Sequence, residues 1–386
     1  AAELSESISC RMCMLAEEAT LRHWANITWS AATLRWQSPA LLSAAADAAL
    51  SKPRSCNARD LSQFAWAFAI LSHSRGCELL EGLAQAVGET DKLSPQDTAI
   101  VVWSAATLMC QGSATDSLLE RLAATAYEQR TEFAPQGISM LFWGYTKLGL
   151  SSQAVAQLID GLTGLLSSHA ASLRPQGIAN IIWAFATQAA PGSHDVVEML
   201  TDAILKPSSE LAHCNAQDVA NILWAMATLD HQGPAGNALL QAVAASPVLP
   251  LADFDTQNCA NVLWAIARSG WSRMLGSFGE RVAVRAVQLG EWEEQSLCSV
   301  LWALAVMSQR EAAISVLQSA RLDRRHLDEF NPQGLCSLVS VCGLLGYKAD
   351  PVCSIAASTK RVLPALAAPE LSAVARSFAS LWPRWK

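Results

Sequence analysis

The stretch PQGIANIIWAFAT at Pro175–Thr187 decides how the rest of the chain is read, because copies of it recur from one end to the other. They are QDTAIVVWSAAT (Gln96–Thr107), PQGISMLFWGYT (Pro135–Thr146), AQDVANILWAMAT (Ala216–Thr228), TQNCANVLWAIA (Thr256–Ala267) and EQSLCSVLWALA (Glu294–Ala305). Weaker copies, NARDLSQFAWAFA (Asn57–Ala69) and RHWANITWSAAT (Arg22–Thr33), precede them. The tryptophans fall at Trp29, Trp66, Trp103, Trp143, Trp183, Trp224, Trp264 and Trp302, with steps of 37, 37, 40, 40, 41, 40 and 38 residues. Ser340 and Ser377 then take the same place at steps of 38 and 37, which makes ten units. A period of 37–41 residues is that of a helix pair, too small to bury its own apolar face and stable only when stacked on its neighbours. The expectation is an all-α fold, an α-solenoid of about ten helix hairpins forming one array over residues 1–386.

Each unit carries its own start signal. Asn57, Ser94, Asn215, Asp255 and Asn331 stand where a short polar side chain caps free backbone amides. Pro95, Pro135, Pro175 and Pro332 follow at the first helical position, where a missing N–H costs nothing. Val219, Ile222, Leu223 and Met226 then mark one buried helix face, and Ala220, Trp224 and Ala227 a second one. The tryptophans, Trp103, Trp143, Trp183, Trp224, Trp264 and Trp302 above all, are therefore expected to be the structural core of the repeat, filling the space between hairpins. Second helices are legible at Ser117–Arg130, Gln153–His169, Asp195–Leu205 and Phe278–Gly290, and turn-rich connections of varying length account for the spread of the period.

A length of 386 residues and an apolar fraction of 51% suit an array that grows by layers. Polar residues interrupt every apolar run before it reaches membrane-spanning length. Beginning with Ala rather than Met, the chain reads as a processed or trimmed product whose targeting segment is not visible. Most of the 11 cysteines, among them Cys110, Cys259, Cys298, Cys336 and Cys342, sit inside apolar helical patterns and are expected reduced and buried. Cys10 and Cys13 form half of a zinc motif without its second half, so no metal is expected.

The PQxxANxLWAxA core at this period resembles the octotricopeptide repeat proteins of algal organelles and the related heptatricopeptide repeats of alveolates, from about Arg22 to Ser380. The proline-rich element of green-algal units is absent, so the alveolate version is the nearer likeness; a C-terminal RAP-type domain, often attached to such arrays, is not seen either. The resemblance implies an organellar protein of the mitochondrial matrix or chloroplast stroma. It would bind single-stranded or ribosomal RNA, acting in transcript or ribosomal RNA maturation, stabilisation or translation.

Charge divides the chain. The net formal charge is −7, against the basic surface usual for a nucleic-acid binder. Residues 1–300 hold 17 Lys and Arg against 28 Asp and Glu, whereas residues 301–386 hold 10 against 6. The basic end, with Arg321, Arg324, Arg325, Lys360 and Arg361, is the candidate phosphate site, though solvated helix ends would look the same. Base-reading candidates are the varying residues directly after the recurrent Gln, namely Asp97, Asp218, Asn258 and Ser296, where helix capping is the competing explanation. For Asn180, Asn221 and Asn261, amid apolar neighbours, hydrogen bonds between repeats are expected.

Seven scattered histidines form no catalytic or metal-ligand pattern, and there is neither a phosphate-cradling glycine loop nor a nucleophile elbow, so neither catalysis nor a cofactor is expected. Two classes stay open: an organellar RNA-binding solenoid, or a protein-interaction scaffold serving as an accessory subunit of a large assembly such as a ribosome.

Overall fold

The computed structural model describes residues 2–86, 93–190, 192–206, 213–246, 251–290, 292–320, 322–349 and 351–381. Among them there are twenty-two α-helices and no strand. The chain divides into two compact units, Ala1–Gln188 and Ala189–Lys386.

Unit 1 holds α1 (Ala2–Met14), α2 (Leu21–Thr33), α3 (Pro39–Ser51), α4 (Ala58–Ile70), α5 (Gly76–Ala86), α6 (Pro95–Leu108), α7 (Ser113–Glu128), α8 (Pro135–Leu148), α9 (Gln153–Thr163), α10 (Leu166–His169) and α11 (Pro175–Gln188). Unit 2 holds α12 (Ser193–Ile204), α13 (Ala216–Thr228), α14 (Pro234–Ala245), α15 (Thr256–Ser269), α16 (Ser272–Gln288), α17 (Glu294–Val306), α18 (Arg310–Ser319), α19 (Arg324–Glu329), α20 (Pro332–Leu345), α21 (Val352–Val362) and α22 (Ala368–Leu381). All ten expected first helices are present: α2, α4, α6, α8 and α11 in unit 1, then α13, α15, α17, α20 and α22 in unit 2.

Within each unit the two kinds of helix pack like with like. In unit 1, α2, α4, α6, α8 and α11 touch in succession, as do the second helices α3, α5, α7 and α9. In unit 2 the successions are α13, α15, α17, α20, α22 and α12, α14, α16, α18. Alanine makes this possible. In α13, Ala220, Ala225 and Ala227 are buried beside Val219, Ile222, Leu223 and Met226, so a neighbour can approach closely on either flank.

The helix starts behave as read. The side chains of Asn57, Ser94, Asn215, Asp255 and Asn331 each accept the backbone N–H three residues on, at 2.9, 3.2, 2.9, 2.7 and 2.9 Å. The helix ends follow a rule that sequence conceals. Six residues after each repeat tryptophan, and after Ser340, the backbone turns left-handed: at Arg35, Ser72, Met109, Gly149, Ala189, Asp230, Gly270, Ser308 and Gly346, with φ between 46° and 69°. Only three of the nine are glycine, the residue that adopts this conformation without cost, so the stop was not visible as a motif.

Second helices are tied to one another through caps. In unit 1 the Glu81 carboxylate of α5 accepts Ala114 N–H, Thr115 N–H and Thr115 Oγ at 3.0, 2.8 and 2.7 Å, closing the first turn of α7. In unit 2 the Glu198 carboxylate of α12 does the same for α14, accepting Ala235 N–H at 2.7 Å and Gly236 N–H at 3.4 Å, with His231 Nε2 at 2.9 Å. The bond from Thr115 and the backbone N–H of Ala114 hold Glu81 below the usual carboxylate range. Partial burial pushes Glu198 up, and the bonds from Ala235, His231 and Gly236 outweigh it, so this group too lies low.

One cysteine departs from expectation. Cys110 is not a free thiol but is disulfide-bonded to Cys77, 33 residues earlier. Cys77 stands in the first turn of α5 and Cys110 just past α6, and helix packing brings their Cα atoms to 5.0 Å. Cys259, Cys298 and Cys342 are free, and burial pushes each thiol up to about 12. Cys336 is also free, and its pKa is raised chiefly by burial.

Candidate nucleic-acid interface

With its apolar and alanine faces consumed by packing, each first helix keeps one stripe in contact with water. In α13 that stripe is Gln217, Asn221, Trp224 and Thr228; in α15 it is Gln257, Asn261, Trp264 and Arg268; in α11 it is Gln176, Asn180, Trp183 and Thr187. The steps of three and four residues put all four on one side of a 3.6-residue helix. Trp103, Trp143, Trp183, Trp224, Trp264 and Trp302 are thus half-exposed, and Trp29 is 43% exposed. They do not fill the interior, because helices spaced by alanine leave no room there for an indole. Instead they meet across neighbouring helices: Trp29–Trp66, Trp103–Trp143 and Trp224–Trp264 have ring centroids 6.0, 6.5 and 6.4 Å apart and planes 33°, 33° and 32° apart. Thr33, Thr107, Thr187 and Thr228 each return their hydroxyl to the tryptophan carbonyl one turn back, at 2.9 Å.

Grooves run between adjacent stripes. One in unit 1, about 580 Å³, is lined by Trp29, Arg59, Gln63, Trp66, Gln96 and Asp97 among others. One in unit 2, about 720 Å³, is lined by Trp264, Gln295, Trp302, Gln333, Ser340 and Glu370 among others. The three asparagines expected to bridge repeats do not: the side-chain amides of Asn180, Asn221 and Asn261 are half-exposed and make no hydrogen bond to another described residue.

Three of the four positions expected to read bases are buried, and the fourth, Asp97, is tied down at the edge of the unit 1 groove. Asp218, Asn258 and Ser296 are only 3%, 7% and 6% exposed. Asp218 accepts Asn215 N–H at 3.1 Å in a reciprocal cap, and burial raises its pKa even against that bond. Asp97, half-buried, accepts Ser62 Oγ of the preceding first helix at 2.5 Å and Ser94 Oγ at 2.6 Å. Asp60 is likewise held by Arg22 of α2, at 2.8 Å. Where this position is glycine the reason is space: a Cβ on Gly177 would come within 3.2 Å of Leu173 Cδ2 and 3.3 Å of Ser139 Oγ. At Asp60, Asp97 and Gly177 this position therefore meets the preceding first helix, and at Asp218 it caps its own.

The arginine cluster is also placed apart from the stripes. Arg324 and Arg325 are exposed on the short α19, which packs on the second helix α21. Lys360 and Arg361 lie on α21, and Arg361 is engaged by Asp328, 3.7 Å to the carboxylate and 3.0 Å to the carbonyl oxygen. Arg321 lies outside the described residues. What the sequence reading missed is a set of exposed cations on, or just before, the first helices of unit 1. Arg59 occupies the Gln place of α4, Lys147 follows Trp143 by one turn, and Arg174 precedes α11 two residues before Gln176. All three are exposed and none has an ion-pair partner among the described residues. Their signal was available as register relative to tryptophan, hidden inside an acidic total.

Among the described residues no group of three or more His, Cys, Asp or Glu side chains could hold a metal ion, and no helix is long and apolar enough to cross a membrane. No protein-family model and no curated protein matches the chain. The likeness to octotricopeptide and heptatricopeptide repeats therefore rests on the recurrent motif itself.

Proposed function

We propose that the helix pairs form an α-solenoid of the octotricopeptide and heptatricopeptide kind and that it binds single-stranded RNA along its tryptophan stripes. The carrying observation is the stripe itself. Repeat after repeat leaves an indole half-exposed and a polar side chain facing water on the same stripe, and one aromatic face per layer is what a stacking platform for successive bases requires. The 6.0–6.5 Å between adjacent indoles is nearly twice the ~3.4 Å rise of a stacked strand, so a base meets an indole about once per layer. In unit 1, Arg59, Lys147 and Arg174 supply phosphate contacts on the same face. An organellar transcript or ribosomal RNA, in the matrix or stroma, is the ligand that the motif's resemblance suggests.

A second reading has one observation in its favour. The stripe face of unit 2 carries Glu294 and Glu370 in its groove against Arg268, which suits a basic protein segment and hence an accessory subunit of a larger assembly. The deciding experiment is titration of the intact chain with a random single-stranded RNA pool at physiological salt. Binding in the nanomolar-to-micromolar range with enrichment of a motif supports the RNA reading. Absence of binding, together with capture of a stable protein complex, would replace it with the scaffold.

A further inference from the structure

Resting on the RNA reading of the same face, we infer that the residue three positions before each tryptophan selects the base that its layer receives. Within the stripe the Gln place is constant from Gln96 to Gln333 and the tryptophan from Trp29 to Trp302, and what is common to successive layers cannot distinguish one nucleotide from another. The place between them does vary. It holds Asn26, Gln63, Ile100, Met140 and Asn180 in unit 1 and Asn221, Asn261 and Ser299 in unit 2. Every one is half-exposed or exposed, one helical turn from the indole, so a base stacked on that indole would present its edge there.

The chemistry at this place is graded in a way that packing does not require. An amide offers a donor and an acceptor side by side, matched to a base edge; a hydroxyl offers less; Ile100 and Met140 offer neither. The amides are also uncommitted: those of Asn180, Asn221 and Asn261 have no hydrogen-bond partner among the described residues. Gln63 Oε1, in the groove between Trp29 and Trp66, is shielded from water and meets no donor. A buried carbonyl left without a donor costs free energy that an incoming N–H would recover. The position after the Gln, by contrast, is already spent on contacts to the preceding helix or on capping its own. The single-stranded RNA is thus read by one slot per layer, and Asn221 and Asn261, being the same residue in adjacent layers, select the same base at two neighbouring positions.

The test is selection from a random single-stranded RNA pool with the intact wild-type chain, Asn221→Ile and Ile100→Asn, each checked for unchanged helicity and melting. The wild type is expected to enrich a motif with one base repeated at two adjacent positions. Asn221→Ile should reduce a preference of roughly tenfold at one of these to about twofold or less, leaving the other positions intact. Ile100→Asn should create a preference at a position previously indifferent. Motifs identical in all three proteins overturn the slot while leaving RNA binding standing. Binding of the pool by the wild type without enrichment likewise overturns the slot alone, whereas no binding overturns the RNA reading, and the slot with it.

Discussion

Asp218 is a carboxylate that the fold would rather keep protonated. Burial raises its pKa, the backbone N–H of Asn215 opposes that only in part, and in the next repeat the same place is held by the neutral Asn258. A group raised in the folded state favours folding while protonated, and that contribution is lost as pH rises from the unfolded value of about 3.9 through the folded one. Asp218→Asn keeps an oxygen to accept the Asn215 N–H and removes the charge. Its melting temperature should equal or exceed that of the wild type at pH 7, and the gap should close as pH falls below about 4. Thermal melts from pH 3 to pH 8 check this; a constant deficit for the variant across the range would mean that the carboxylate is needed as a charge, through the helix dipole.

Every first helix up to α20 ends on a left-handed residue six positions past the tryptophan place, yet Arg35, Ser72, Met109, Ala189, Asp230 and Ser308 carry a side chain there. Such a conformation costs a residue with a Cβ about 1–2 kcal/mol, part of which glycine gives back through its freer unfolded chain. Met109 is 48% exposed at φ 54°, so little packing is lost on truncation. Met109→Gly should raise stability by about 0.5–1 kcal/mol, read as a higher urea midpoint at unchanged slope. A lower midpoint would show that the methionine side chain contributes more by contact than its backbone strain costs. Gln153–His169, legible as one helical pattern, is divided without such a residue: α9 ends at Thr163, with the right-handed Gly164 as its cap, and α10 resumes at Leu166.

At the scale of the molecule, the proposed binding of RNA asks for local rather than net charge. The chain totals −7, yet unit 1 presents Arg59, Lys147 and Arg174 exposed and without an ion-pair partner among the described residues, while the C-terminal arginines sit with second helices. Neutralising Arg59, Lys147 and Arg174 together should weaken binding to all RNA sequences alike. The slope of log K against log salt should flatten by about 2, which is ~0.7 for each of three phosphates on a single strand. Neutralising Arg324, Arg325 and Lys360 should leave that slope nearly unchanged. The opposite ranking, measured by titration between about 50 and 200 mM salt, would return the phosphate path to the C-terminal cluster.

Sequence by itself determined the helical class, the ten first helices and their starting residues, because caps, N1 prolines and a 3.6-residue apolar pattern are local chemistry that needs no partner to be read. It also located the tryptophans and the asparagines. Which way they face was decided only by tertiary structure, since a helix with two small or apolar flanks can bury either flank against a neighbour, and an indole suits a core as well as a surface. Packing settled the matter. Alanine at 220, 225 and 227 and their counterparts let the helices close until no interior volume was left for Trp224, which turned the Gln–Asn–Trp–Thr stripe outward. The same closure swung Asp60 and Asp97 into contact with the preceding helix, and it joined Cys77 to Cys110 across 33 residues. These pairings are between residues more than thirty positions apart, and no local pattern carries them.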